Sequence, residues 1–305
     1  MKRIYKLAAA TIGFWSVAGT ASAFTVTPTQ NSNSLLTTLL GDTAGLSNFN
    51  LSLSGDGRGF GTFADDPFGL QMGVVLSTGK VADLPGENRI DRGFETLPDG
   101  TKVALADLST NLNGMCDPVT NQFCDRITLT LEFDADATVD RLFFNYVFGS
   151  EEFVEFGGNR FNDSFKLLLN GQNLAQLSDG QTVTINHLVP DSDAPALYHP
   201  DYIDSPAAPN TLTRLDGYTK VLGFEGSLQQ NARNTLTIEI ADIGDNFFDS
   251  AVFVQGGTLG TVAPEPIPVP EPTSTLGLLV FSGGVVPLWR RRRDRSDDLR
   301  RKLPR

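Results

Sequence analysis

The sequence predicts a mainly all-β fold: a β-sandwich or jelly-roll-like domain with one short N-terminal helix, followed by a separate C-terminal apolar helix. Three observations carry this. Short apolar or alternating runs recur between Gly, Asp, Asn and Pro; helical periodicity is nearly absent; and a proline-rich stretch sets an uncharged segment apart near the end.

Residues 1–23 have the three-part layout of a secretory signal peptide. Met1-Lys2-Arg3-Ile4-Tyr5-Lys6 is basic, residues 7–18 are uncharged, and Ala21-Ser22-Ala23 places small residues where a signal peptidase cuts. The apolar run falls short of the roughly 20 residues that a membrane span needs, so cleavage after Ala23 is expected.

Residues 24–260 form the predicted domain, about 240 residues, enough for one large β-domain or two small ones. Leu35, Leu36, Leu39 and Leu40 suit one short amphipathic helix, with Asn33 or Ser34 as cap and Gly41 as its end. Residues 73–77 read as a buried strand. Residues 126–133 alternate, with Ile127, Leu129, Leu131 and Phe133 on one face. Strands follow at 141–148, 164–169, 181–185, 218–224, 235–240 and 250–255. Residues 190–210 hold Pro190, Pro195, Pro200, Pro206 and Pro209 and read as a long irregular loop. The two cysteines, Cys116 and Cys124, form a close pair across a Pro-Asn turn. An exported compartment is oxidising, which predicts a local disulfide, and without a nearby histidine they make no zinc site.

Residues 261–272 form a proline-rich linker that ends in Pro270-Glu271-Pro272. The uncharged segment 273–289 comes next, then Arg290-Arg291-Arg292-Arg293 within a basic tail, 290–305. An apolar segment capped by basic residues inserts with the basic end in the cytoplasm. This order resembles the PEP-CTERM sorting signal. The resemblance implies an exosortase-like enzyme, a membrane protease-transpeptidase, that processes the tail near Pro270-Glu271-Pro272. The tail beyond Arg293 is longer than is usual for that signal, and an unprocessed single-span anchor is the alternative.

Without the leader's three basic residues and the tail's nine basic and three acidic ones, 12 basic and 33 acidic residues are left, a net charge of −21. So acidic a domain attracts cations and is repelled by nucleic acid, which excludes nucleic acid as a partner. The stretch from Gly73 to Lys80 is no phosphate loop: five residues separate its glycines where four are required, and Val81 replaces the Ser or Thr. There is no nucleophile elbow and no His-Glu-x-x-His, and the only histidines are His187 and His199.

Acids interrupt the apolar strands in two places, at 144–165 and 240–253. Glu151, Glu152, Asp163, Asp242, Asp245 and Asp249 stand where one strand ends and another begins. Hard oxygen ligands of this kind suit calcium, which takes about six to eight of them. The bland reading is that these acids are solvated turn residues or backbone caps. The same residues carry a second resemblance. Residues 144–153 (FNYVFGSEEF), Phe161-Asn162-Asp163-Ser164-Phe165, and 241–245 with 249–253 are similar to the choice-of-anchor L domain, and so are residues 69–79. The resemblance implies a bacterial surface or secreted protein with an exchangeable C-terminal anchor and no enzymatic activity. The expected function is a structural or adhesive module of the envelope or the extracellular polysaccharide matrix, held transiently or stably in the inner membrane by its C-terminal segment. The rival is a polysaccharide hydrolase that uses two of these carboxylates about 5–10 Å apart.

Overall fold

In the computed structural model the described residues are 23–91, 94–100, 102–112, 123–243 and 247–265. Most of the signal segment, Cys116, Asp245, Pro270-Glu271-Pro272, the segment 273–289 and Arg290 to Arg293 lie outside them. Among the described residues no helix is long and apolar enough to cross a membrane.

In chain order, β1 (Thr25–Pro28) and α1 (Ser32–Leu39) precede β2 (Leu46–Ser54), β3 (Phe60–Ala64) and β4 (Met72–Ser77). Two short strands, β5 (Phe94–Thr96) and β6 (Lys102–Ala104), form a separate two-stranded sheet among the described residues. Then come β7 (Phe123–Ala135), β8 (Arg141–Ser150), β9 (Ser164–Leu169), β10 (Gln172–Asn173) and the short helix α2 (Ile185–Leu188). The last strands are β11 (Tyr202–Asp204), β12 (Gly217–Thr219), β13 (Leu222–Ser227), β14 (Ala232–Ile243) and β15 (Ser250–Gln255). An eight-stranded sheet runs β1-β3-β4-β15-β8-β12-β11, with β13 also on β8, and a five-stranded sheet runs β10-β9-β14-β7-β2. The pairings are antiparallel, which short turns allow. Between β9 and β10, for example, Asn170 and Gly171 both take positive φ, +52° and +86°, as a tight two-residue hairpin requires.

The side-chain period decides the layering. Leu142, Phe144, Tyr146 and Phe148 of β8 point one way and share a core with Ile127, Leu129, Leu131 and Phe133 of β7 and with Leu236, Ile238 and Ile240 of β14. Val147, Val75, Ala251 and Phe253 point the other way, into a second core covered by Phe24, Leu84, Leu108 and Leu215. The middle of the large sheet is therefore buried on both faces. That is why β4 and β15 read as continuous apolar runs, whereas β7 and β14, with one face turned outward, alternate.

The mainly β expectation holds, and several local readings are corrected. The helix cap is Asn31, whose Oδ1 accepts from Ser34 N at 3.0 Å, and not Asn33 or Ser34. Residues 181–185 are not a strand: Thr184 caps α2 there, and an isolated bridge joins Gln176 to Thr182. The run 218–224 is broken into β12 and β13, which pair with different stretches of β8. The proline-rich loop contains the edge strand β11. β1, β2 and β3 went unread because Ser, Thr, Asn and Gly dilute their apolar pattern.

Phe148 is fully buried, with Phe165 stacked at 6.0 Å and Phe153 edge-on at 6.4 Å. Phe148→Ala should cost about 3–5 kcal/mol of stability in urea unfolding. Arg141→Ala breaks only an exposed ion pair with Glu225 and should stay within about 0.5 kcal/mol.

Candidate functional site

Strand β8 ends at Ser150, where Gly217 of β12 pairs on one side and Ser250 of β15 on the other. One residue further along these strands stand Asp216, Glu151 and Asp249, which form a cross-strand row. Pleating puts them on the face of Val147, Ala251 and Phe253, the outer face. They are 4 %, 2 % and 1 % exposed. Gly79 continues the row beyond the Ser77–Ala251 pair, and a Cβ there would overlap the Asp249 carboxylate. The glycine is what lets that carboxylate lie flat under the loop.

Like charges opposite one another across strands are unfavourable, and burial increases the cost. The chain answers with backbone donors. Asp107 N and Leu108 N donate to Glu151 Oε1 at 2.6 and 3.4 Å. Thr110 N donates to Asp249 at 2.9 and 3.2 Å, and Leu112 N to Asp125 Oδ2 at 3.0 Å. The amides of Leu108, Thr110 and Leu112, at alternate positions, thus lay this segment along three buried carboxylates. Asn88 Nδ2 donates to Asp216 Oδ1 at 2.6 Å and to Ser205 O at 2.7 Å. Two buried oxygens in this group, Glu151 Oε2 and Asn88 Oδ1, have no hydrogen-bond partner.

The next residues back, Ser150 and Ser250, point between the sheets. Ser250 Oγ lies 2.8 Å from Ser150 Oγ and 2.6 Å from Asp163 Oδ2, and Ile243 N donates to Asp163 Oδ1 at 3.0 Å. Asp242 sits beside Asp163, one residue past the Ala241–Ser164 pair. Both of its oxygens are buried and without a hydrogen bond.

Burial dominates the protonation of Asp242, Asp249, Glu151 and Asp216. It pushes Asp242 well above the usual carboxylate range, aided by the charges of Asp163 and Asp249. The Thr78 hydroxyl opposes this without reaching hydrogen-bond geometry. Burial raises Asp249 to about 7 against the Thr110 amide, with Asp125, Asp163 and Asp83 adding to the rise. Glu151 and Asp216 are raised chiefly by burial; Asp249 and Asp107 press further on Glu151, and Glu151 presses on Asp216.

The acids singled out in the sequence are therefore divided. Glu151 and Asp249 lie on the outer face, and Asp163 and Asp242 lie between the sheets. Glu152 is buried, with its amide on Ser150 Oγ at 2.9 Å. Among the described residues no three His, Cys, Asp or Glu side chains converge as metal ligands. Cys124 is buried at the start of β7, and no described cysteine is free. Asp216, Asn88 and Asp125 escaped the sequence reading. Asp216 had a faint signal, a lone acid between Leu215 and Gly217; Asn88 had none. A shallow depression of about 290 Å³ is lined by Glu87, Asn88, Arg89, Ala207, Ala208 and Pro209, and Asn88 connects it to Asp216 of the outer row. It presents one carboxylate, Glu87, and not the facing pair that glycoside hydrolysis uses.

The sequence model of the choice-of-anchor L domain matches residues 25–260. No curated protein and no solved structure matches the chain significantly.

Two outcomes follow from the row. Gly79→Ala should destabilise the fold by about 1–3 kcal/mol, because the added methyl displaces the Asp249 carboxylate. For pH, the folded Asp249 binds its proton more tightly, at about 7 against 3.8 in the unfolded chain. Its contribution is full below pH 3.8 and is lost as pH rises towards 7, by roughly 4 kcal/mol. Urea unfolding in excess chelator should therefore show stability falling from pH 4 to pH 7.

Proposed function

The chain belongs to the choice-of-anchor L domain family, and we propose on that footing that it is a displayed structural or adhesive module of the bacterial envelope or polysaccharide matrix. The family is one of surface-associated, non-catalytic proteins, so the chain is an exported or cell-surface protein. In the proposal its domain is a β-sandwich, trimmed by signal peptidase and sorted by an exosortase-like enzyme at Pro270-Glu271-Pro272. The segment 273–289 with Arg290 to Arg293 holds it in the inner membrane until processing, and Cys116 and Cys124 close a disulfide. A calcium ion stabilises the acidic end of the sheets.

The observation that carries the display reading is where the fold closes. Gly260 exchanges two backbone hydrogen bonds with Phe143 at 2.8 and 3.1 Å, and Thr261 N donates to Asp42 O at 2.8 Å. The proline-rich linker starts at that point, and the family match ends at 260. A domain tied off by its own hydrogen bonds at that point is one that a proline-rich linker can present. The calcium reading is supported by the buried row of Asp216, Glu151 and Asp249, because ionising several such acids without a cation is costly. The described ion pairs of Lys and Arg are made with other acids.

Replacing Pro270, Glu271 and Pro272 by alanine in the native host should shift the protein from the extracellular fraction to the inner membrane on fractionation and immunoblotting; an unchanged distribution would discard the sorting reading. Calcium should raise the melting temperature of the purified protein relative to excess chelator, as a ligand of the native state does. An unchanged melting temperature discards calcium.

A further inference from the structure

We propose that a hard divalent cation of the calcium type binds on the outer face between Asn88, Glu151 and Asp216, and clamps two loop segments to the end of β8. This deepens the calcium reading above, on which it rests, by naming the site.

The oxygens make the case. Glu151 has spent Oε1 on the Asp107 and Leu108 amides, while Oε2 is buried with no donor. Asn88 is fully buried, and both hydrogens of its amide nitrogen go to acceptors, Asp216 Oδ1 and Ser205 O. Those two bonds set the amide's orientation, so the partnerless atom is the oxygen and not the nitrogen. An amide oxygen and two carboxylates are hard, neutral-to-anionic donors, which suit calcium or magnesium better than zinc or copper. Backbone carbonyls and solvent would complete the shell.

Charge and position agree. Asp216 and Glu151 face each other one residue beyond the Gly217–Ser150 pair, where like charges repel. A single proton cancels one of them; a divalent cation cancels both and also engages the Asn88 oxygen. The depression brings solvent-accessible space up to Asn88, one of the three residues. The inner acids are less suited. Both oxygens of Asp163 are already engaged by Ile243 N and Ser250 Oγ. Asp242 lies fully buried between the sheets, where a proton suffices.

Such a site would explain the ordering of distant segments. Asn88 N also donates to Thr211 Oγ1 at 2.6 Å, and Asp216 O accepts from Ser205 N at 2.8 Å. The loop after β4, the segment around β11 and the end of β8 thus meet at one point.

The test is calcium titration calorimetry on the chelator-stripped full chain in detergent, with melting curves. Asp216→Asn should weaken calcium binding at least tenfold, whereas Asp242→Asn should leave it within about twofold. Asn88→Asp keeps the ligand oxygen but replaces the donating Nδ2 by a second oxygen, placing a third negative charge beside Asp216. It should melt lower than the parent in chelator and recover in calcium, which a purely structural asparagine would not do. That variant carries the test if Asp216→Asn fails to fold. Calcium binding lost in Asp242→Asn and kept in Asp216→Asn, or an Asn88→Asp chain that calcium does not rescue, overturns this site and leaves the calcium reading standing. A parent chain that binds no calcium and is stabilised only by acid removes both.

Discussion

A strand buried on both faces has no solvent to offer the polar groups at its end, and β8 is such a strand. Phe144, Tyr146 and Phe148 face the five-stranded sheet, Val147 faces the second core, and neighbours on both sides close its backbone. Whatever stands at Ser150, Glu151 and Glu152 must therefore be satisfied by protein groups or by ions. The acidic end of the molecule is the consequence of that closure.

The chain meets most of this demand with backbone amides. The segment from Asp107 to Leu112 has no strand partner of its own, yet its N–H groups are spent on Glu151, Asp249 and Asp125. Carboxylates and loop thus satisfy each other: acids that would be unstable without donors help to hold a loop whose Leu108 O in turn accepts from Asp249 N at 3.1 Å. The bland view of these residues as backbone caps is right for that half of their oxygens. The remaining oxygens, on Glu151, Asn88 and Asp242, give the site its chemical character.

The arrangement fits a displayed module. The chain is acidic, its depression carries no opposed pair of carboxylates, and its last strand is followed within a few residues by a proline-rich sequence. Outside a cell, where calcium is plentiful compared with the cytoplasm, the proposed cation would consolidate the fold at its destination. The same acids raised by burial would leave it weaker where cations are scarce and pH is neutral.

The β-rich class follows from the sequence by itself, and the export layout and the proline linker are expectations drawn from it in the same way, because each rests on local pattern: apolar length, charge at segment ends and a side-chain period of two. Strands β9 and β15 were legible to the residue for that reason. The acids at 151, 163, 242 and 249 were also legible as strand-end residues. Tertiary structure alone decided what they do. Parity sends Asp249 outward and its neighbour Ser250 inward, and places Asp242 on the inner face although it lies only seven residues before Asp249 in the chain. Asp216 stands beside Glu151 only because β12 pairs with β8, and Asn88 reaches Asp216 only because a loop folds back onto it. Contacts between residues some 60 positions apart are set by strand pairing and register, which no local pattern encodes.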